Sequence, residues 1–269
     1  MSIKLGVIGG GVMAEAIVSR LLQEEVYQAN QVIISEPRDS RCQFWSETYG
    51  VNTTNNNVQV FSGCEVLLLA VKPQILEVIA EDVVGGEQKD SPSLVLSILA
   101  GVCLDKLEAI FPVSGVIRVM PNTPALVGAG MTAMTPNEKV TGDDLNTANS
   151  ILNCIGEVIQ VPEYMMDGVT GLSGSGPAFV AMMIEALADG GVAVGLPRAI
   201  ASQLALQTVL GTAELIKQKQ LHPAVLKDQV TSPGGTTIAG VAQLEKQGFR
   251  SAIIEAVRMA KVRSQELNG

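Results

Sequence analysis

The segment Ile3-Lys4-Leu5-Gly6-Val7-Ile8-Gly9-Gly10-Gly11-Val12-Met13-Ala14 decides the fold of this 269-residue chain. Its apolar first half predicts a buried strand, and an apolar helical pattern over 12–24 follows the glycines. Gly9 permits a tight turn, Gly11 lets a pyrophosphate approach the backbone, and Ala14 allows the helix to pack closely on the strand. The G-x-G-x-x-A pattern in this context favours a dinucleotide-binding unit over a purely structural tight turn.

Short apolar runs alternate with helical patterns over residues 1–160, an arrangement typical of an α/β fold. Because the runs are buried and do not alternate with polar residues, we expect a doubly wound, mostly parallel sheet. The predicted strands are Ile3–Ile8, Gln31–Ser35, Glu65–Ala70, Ser93–Ser97, Gly115–Met120, Gly130–Met134 and Glu157–Val161.

After Pro162 the pattern becomes entirely helical, so we place a domain boundary between residues 161 and 162. The predicted domains are 1–161, which binds the dinucleotide, and 162–269, which is all-helical. Helices are predicted over 163–173, 177–194, 198–217, 222–230 and 236–267, the last broken near Gly248. Helix 177–194 is apolar nearly all round, which predicts burial in a subunit interface rather than in a monomeric bundle.

Composition excludes several classes of function. The net charge is −9 with no basic stripe, so nucleic acid is a poor partner. The four cysteines are scattered and the only histidine, His222, lies at a predicted helix start, so we expect no metal site. No apolar run is expected to span a membrane, and we predict a cytoplasmic protein without membrane association.

Polar and small residues follow the predicted strands, where open α/β sheets bind ligands. Glu36 could accept from a ribose 2′-hydroxyl and favour NADH, whereas Arg38, with Arg41, could pair with a 2′-phosphate and favour NADPH. Further candidates are Lys72 within Ala70-Val71-Lys72-Pro73-Gln74, Ala100-Gly101 beside a nicotinamide, and Asn122-Thr123 for amide or ribose contacts. Ordinary turn and cap chemistry is the alternative for each of them.

The second chemical motif is Val230-Thr-Ser-Pro-Gly-Gly-Thr-Thr237, a loop that opens directly into an apolar helical pattern. Ser232 can cap this helix, Pro233 presets its own φ, and Gly234 and Gly235 let a ligand reach the backbone. Free N–H groups at a helix N-terminus bind anions, so we expect a small carboxylate here.

These motifs together strongly resemble the pyrroline-5-carboxylate reductase family over nearly the whole chain. The matching segments are Gly9–Ala14, Ala70–Gln74, Arg118–Ala125, Leu172–Ala178 and Val230–Thr237. The resemblance implies a Rossmann domain, a helical domain that interleaves with a second subunit, and dimers that are often built into a ring of five. It also implies reduction of a cyclic imino acid to proline. The acid at Glu36 departs from the small hydroxyl residue often found there, which leaves NADH open beside NADPH.

The resemblance also implies the site residues. The NAD(P)H contacts it implies are Gly9, Gly10, Gly11, Val12, Met13, Glu36, Arg38, Asn57, Ala70, Val71, Lys72, Pro73 and Ala100, to which the loop that follows the fifth long strand adds Asn122. Substrate contacts are implied for Glu163, Gln229, Ser232, Gly235, Thr236 and Thr237.

For the mechanism we expect the amides of Gly235 and Thr236, with Ser232, to hold the carboxylate while the Thr237 hydroxyl assists protonation of the imine nitrogen. No histidine, cysteine or lysine is placed by the sequence as a strong acid, so positioning should dominate catalysis. Two rivals remain open at this point: a β-hydroxyacid dehydrogenase, and a non-catalytic NAD(P)-binding protein.

Overall fold

The computed structural model describes residues 3–84 and 91–267. The chain divides into two compact units, Met1–Gly174 with Ala260–Gly269, and Ser175–Met259. The division falls at Gly174, beyond the boundary predicted at 161–162, and that boundary stays a prediction.

The first unit is built on one eight-stranded sheet in the order β3-β2-β1-β4-β5-β6-β7-β8. All its strand pairs are parallel except β6 with β7. The strands are β1 (Ile3–Ile8), β2 (Val32–Ser35), β3 (Asn52–Thr54), β4 (Cys64–Leu69), β5 (Leu94–Ser97), β6 (Gly115–Met120), β7 (Gly130–Pro136) and β8 (Gly156–Gln160). The predicted fold class is confirmed, with β3 as an additional strand.

Helices cover both faces of this sheet because its strands are apolar on both sides. The helices are α1 (Val12–Gln23), α2 (Asp39–Tyr49), α3 (Asn57–Phe61), α4 (Leu76–Val84), α5 (Leu104–Ile110), α6 (Gly142–Leu152) and α7 (Met166–Val169). One buried cluster packs α1 and α6 on the sheet through Ile17 and Ile151, and the other packs α4 and α5 through Ile79 and Leu107.

Strand order reverses between β1 and β4, and this reversal creates the ligand crevice of a doubly wound sheet. The carboxyl ends of these strands lead into Gly9 and Ala70, and the Ala70 amide donates to the Ile8 carbonyl at 2.9 Å. The glycine-rich turn and the Ala70–Gln74 segment therefore lie side by side.

The second unit consists of helices. They are α8 (Gly176–Ala193), α9 (Arg198–Lys219), α10 (Pro223–Val230), α11 (Thr236–Lys246) and α12 (Phe249–Leu267), whose last turns belong to the first unit. Proline begins α10, where its missing N–H costs no helical hydrogen bond, and Gly248 separates α11 from α12 with a φ of +73°.

The apolar side chains of this helical unit are largely exposed within one chain. In α8 only Ala188 is buried, and in α9 only Ala201 and Ala205. The stretches Glu163–Ala193 and Arg198–Lys219 are long and apolar enough to cross a membrane by length and composition alone. Length and composition alone do not indicate a membrane span, since an aliphatic subunit interface and a lipid-facing helix share the same composition, and the expected absence of membrane association stays a prediction.

Candidate active site

Gly9 occupies a position that only glycine fits. Its φ is +101°, and a Cβ there would lie 2.6 Å from the Ala70 carbonyl oxygen. Its amide donates to the Ser35 carbonyl at 2.8 Å. The turn therefore links β1 to the ends of β2 and β4, as a dinucleotide-binding turn requires.

Gly10 is fixed through both of its peptide groups. Its N–H donates to Glu36 Oε2 at 3.0 Å, and its carbonyl accepts from Arg41 Nη2 at 2.8 Å and from Trp45 Nε1 at 3.2 Å. The Gly10 N–H is therefore committed inside the protein, and this residue shapes the turn rather than offering a donor to a ligand.

The beginning of α1 fits a pyrophosphate group. Gly11 is the N-cap residue, no side chain caps the helix, and a Cβ on Gly11 would meet nothing within 4 Å. The N–H groups of the first helical turn have no acceptor within the helix and attract anions. Val12 is exposed and Met13 is half-buried beside this open space.

At the end of β2, the carboxylate of Glu36 lies beneath the glycine turn and its side chain is only 4% exposed. Oε1 accepts from the Arg38 amide at 3.1 Å and from Arg38 Nε at 2.7 Å. Burial alone would raise the pKa of this carboxyl, but the hydrogen bonds from Arg38 and Gly10 outweigh burial and hold the pKa below its ordinary value. The charged form is therefore favoured.

Two other predicted cofactor residues have their side chains engaged within the protein. Asn57 accepts from Ser35 Oγ at 2.7 Å and donates to Asp82 Oδ2 at 2.9 Å. Asn122 donates to the Ser173 carbonyl at 3.1 Å and accepts from the Met131 amide at 2.9 Å. Both amides thus organise loops at the carboxyl edge of the sheet.

The remaining predicted cofactor residues follow β4 and β5. Ala70, Val71 and Pro73 are half-buried, whereas Lys72 and Ala100 are exposed. Gly101, with a φ of +75°, and Pro73 line one cavity of about 390 Å³ in the first unit, so the loops after the two strands share a recess.

In the second unit, Ser232-Pro233-Gly234-Gly235 forms a tight turn before α11. The Gly235 amide donates to the Ser232 carbonyl at 3.1 Å, and Gly234 has a φ of +67° as a type II turn requires. A Cβ on Gly235 would lie 2.3 Å from Ser232 Oγ, so a larger residue there would force the Ser232 hydroxyl to move. Because its amide is used by the turn, we expect the donors to a carboxylate to be the amides of Thr236 and Thr237.

Thr237 lines a groove of about 580 Å³ formed within the second unit by α9, α10 and α11. Leu215, Leu226 and Val230 make most of this lining apolar, and Lys227 adds a cation. Lys227 Nζ pairs with Asp228 Oδ1 at 2.6 Å, and the expectation that no histidine, cysteine or lysine acts as a strong acid stays a prediction. Gln229 is exposed on α10 and is not among the residues that line the groove.

Glu163 belongs to the first unit, whereas the other predicted substrate residues belong to the second. Its Oε1 accepts from Arg118 Nη1 at 2.6 Å and from the Leu104 amide at 3.2 Å. Its Oε2 is buried with no hydrogen-bond partner among the described residues. The sequence predicted Glu163 but missed its partner, since Arg118 is simply the fourth residue of an apolar strand.

The fold and these sites define a class: an oxidoreductase with a dinucleotide-binding α/β unit and a helical unit that carries an anion cradle. Comparisons with known proteins support the class. Residues 163–267 match the family model for pyrroline-5-carboxylate reductase dimerisation, and residues 4–101 match that for NADP oxidoreductase, coenzyme F420-dependent. The chain belongs to the pyrroline-5-carboxylate reductase family, and the predicted family and enzyme class are confirmed.

Individual relatives agree over the whole chain. It is 60% identical to a pyrroline-5-carboxylate reductase of Synechocystis, covering 99% of both chains, and 41% identical to that of Escherichia coli, covering 100% of this chain and 99% of the other. A solved reductase from Coxiella burnetii matches with a TM-score of 0.89 at 35% identity, covering 100% of both. The Plasmodium falciparum enzyme with NADP bound matches with a TM-score of 0.87 at 31% identity, covering 99% and 98%.

Proposed function

We propose that this chain reduces 1-pyrroline-5-carboxylate to L-proline, with NADPH as hydride donor, in the last step of proline biosynthesis. The observation that carries the proposal is the uncapped start of α11, where Ser232, Gly235 and the following threonines form a cradle for a small carboxylate. Relatives with the name pyrroline-5-carboxylate reductase in bacteria and plants support it.

The cofactor is assigned to the crevice between β1 and β4. Gly9 and Gly10 shape the turn, and the first-turn amides after Gly11, at Val12 and Met13, hold the pyrophosphate. Glu36, Arg38 and Asn57 border the adenosine ribose. The nicotinamide end is assigned to Ala70, Val71, Lys72, Pro73, Ala100 and the loop held by Asn122. When bound, the reduced nicotinamide supplies a hydride.

The substrate is a five-membered cyclic imine with a carboxylate. The Thr236 and Thr237 amides and the Ser232 hydroxyl hold the carboxylate by charge-assisted hydrogen bonds. The hydride adds to ring carbon C5, and the electron pair of the C=N bond moves to nitrogen, which holds a proton. We assign to the Thr237 hydroxyl a hydrogen bond with that nitrogen. Lys227, which pairs with Asp228 at 2.6 Å, lines the same groove as Thr237. Gln229 and Glu163 are further residues proposed to contact the substrate.

A homodimer formed through the helical unit is part of the proposal, with a decamer as its larger form. The family model that matches residues 163–267 describes a dimerisation domain, and large apolar side chains such as Met182 and Leu204 are exposed in the single chain. We place the enzyme in the cytoplasm and attribute its long apolar helices to the interface between subunits.

The direct test is oxidation of NADPH and of NADH, measured in parallel with purified protein and pyrroline-5-carboxylate. Rapid substrate-dependent loss of absorbance at the reduced nicotinamide band, with L-proline as product, is the expected result. A folded protein that binds the cofactor but oxidises neither form with this substrate would contradict the proposal and favour a non-catalytic NAD(P)-binding role.

A further inference from the structure

The acid at the end of β2 does not adopt the arrangement of a ribose-reading carboxylate. Such a carboxylate offers its oxygens to the ribose hydroxyls. In this chain both Glu36 oxygens already accept hydrogen bonds from the protein itself. Oε2 accepts from the Gly10 amide, and Oε1 accepts from the amide and Nε of Arg38. With 4% of the side chain exposed, little surface remains for a sugar hydroxyl.

Unlike the buried carboxylate of Glu36, the guanidinium of Arg38 is largely exposed. Its side chain is 62% exposed, and Glu36 engages its Nε and Nη2 edge. The Nη1 group and the remaining N–H donors therefore face away from the carboxylate. A guanidinium held along one edge presents its other edge in a fixed direction, which suits bidentate binding of a phosphate.

The same carboxylate also fixes the turn that begins the pyrophosphate cradle. It holds the Gly10 N–H, while Arg41 and Trp45 hold the Gly10 carbonyl, so neither of the two peptide planes that flank Gly10 can rotate without breaking hydrogen bonds. Glu36 is thus joined at once to the glycine turn and to an exposed arginine two residues along the chain.

We infer that Glu36 is a positioning residue that orients Arg38 toward the 2′-phosphate of NADPH, so that an acid at this position selects for the phosphate rather than for a free ribose. The inference rests on the proposed function, because it presumes a nicotinamide dinucleotide in the β1–β4 crevice. It makes the Glu36–Arg38 pair one unit: the effect of either residue on cofactor choice depends on the other.

The test uses equilibrium binding to the full-length protein by calorimetry, with adenosine 2′,5′-bisphosphate and adenosine 5′-monophosphate as probes. The two probes differ only in the 2′-phosphate, and neither requires turnover. Wild-type protein should bind the bisphosphate more tightly. R38M should lower affinity for the bisphosphate about 10- to 100-fold, the usual effect of losing charge-assisted bonds to phosphate, and change monophosphate affinity little.

E36Q is the decisive variant. Glutamine has the same shape, but with its one oxygen at the Oε2 position, where it accepts from Gly10 and Arg38 Nη2, its amide nitrogen would face the Arg38 amide and Nε donors. We expect the bisphosphate-to-monophosphate affinity ratio to fall in E36Q, and this change to vanish when E36Q is added to R38M. A ribose-reading acid gives the reverse, a ratio that rises in E36Q; a rise, or no change, overturns the inference.

R38K keeps the test decisive if E36Q does not fold. Lysine retains the charge but cannot make the two-nitrogen contact with Glu36, so the ratio should fall between those of wild type and R38M. A wild-type ratio in R38K overturns the inference. Loss of imine reduction with intact probe binding would instead count against the proposed reaction and leave the cofactor assignment untouched.

Discussion

Arg118 and Glu163 form an ion pair of 2.6 Å in which the arginine side chain is buried and the glutamate side chain as a whole is one-third exposed. The pair joins strand β6 to the 3₁₀ turn Glu163–Met165 that follows β8. A family resemblance alone places Glu163 at the substrate, whereas the structure shows that one of its oxygens anchors a buried guanidinium and the Leu104 amide.

Replacing Glu163 should therefore destabilise the protein as well as affect turnover. E163Q leaves the buried guanidinium of Arg118 without a counter-charge, which in partly exposed surroundings should cost roughly 1–3 kcal/mol. The measurement is urea unfolding at fixed protein concentration, because any oligomer contributes to the transition. E255Q, which breaks the exposed Arg258 pair, is the matched control and should not shift the midpoint. Equal midpoints for both variants would contradict this account.

Alanine substitutions at two glycines of the first turn should distinguish an effect on stability from an effect on cofactor binding. G9A forces a side chain into a φ of +101° and against the Ala70 carbonyl, so we expect about 1–3 kcal/mol of destabilisation together with lost NADP⁺ binding. Gly11 has an ordinary φ of −78° and open space where a Cβ would lie. The free energy of unfolding of G11A should therefore lie within about 0.5 kcal/mol of the wild-type value. Its NADP⁺ affinity should still fall, because the added methyl occupies the pyrophosphate space; unchanged affinity would refute that placement.

The long apolar strands and the glycine turn could be predicted from the sequence because their signals are local. β3 was missed because Asn52–Thr54 is a short polar strand at the sheet edge. The antiparallel direction of β7 has no sequence signature, since buried strands look alike in either direction. The hydrogen bonds to the Gly10 carbonyl could not be predicted either, because their donors, Arg41 and Trp45, lie on α2, which is remote from the glycine turn in sequence.

At the proposed substrate site, the sequence predicts the cradle but not the use of each donor. The motif around Ser232 and Gly235 predicts an anion site, yet only the turn geometry shows that the Gly235 amide is already bonded. Lys227 and Thr237 line one groove together with residues of α9, which is a tertiary relationship.

Removing the Thr237 hydroxyl should lower turnover and leave cofactor affinity intact. T237A retains the backbone amide of the cradle but loses the hydrogen bond proposed to the imine nitrogen, so kcat should fall about 100-fold, the lower end for a proton-transfer group. T237S restores the hydroxyl and should recover most of kcat. Steady-state rates with pyrroline-5-carboxylate and the NADP⁺ dissociation constant check both points. Wild-type turnover in T237A would remove the hydroxyl from the mechanism.

Glu36 should also make the free energy of unfolding depend on pH in the acid range. The pKa of its carboxyl is lowered below 4.5 in the folded protein, so the unfolded state binds the proton more readily. The contribution of Glu36 is therefore fully present above the unfolded pKa and is lost as the pH falls through the folded pKa. The difference in free energy of unfolding between wild type and E36Q should narrow from pH 7 to pH 3. A constant difference would show that the charge of Glu36 contributes nothing.

The exposed leucines of α9 should be buried in a subunit interface. Leu204, Leu206 and Leu210 are each more than half exposed in the single chain, and burying a leucine stabilises an interface by roughly 1.5–3 kcal/mol. Because both subunits contribute the same surface to a two-fold interface, each substitution changes that interface at two places. L206K should therefore shift the molar mass measured by size-exclusion chromatography with light scattering from dimer or larger toward monomer. V113K, at an equally exposed apolar residue of the first unit, should leave the mass unchanged. A wild-type protein that is monomeric, or that leaves the membrane fraction only with detergent, would contradict the assignment of these helices to an interface between subunits.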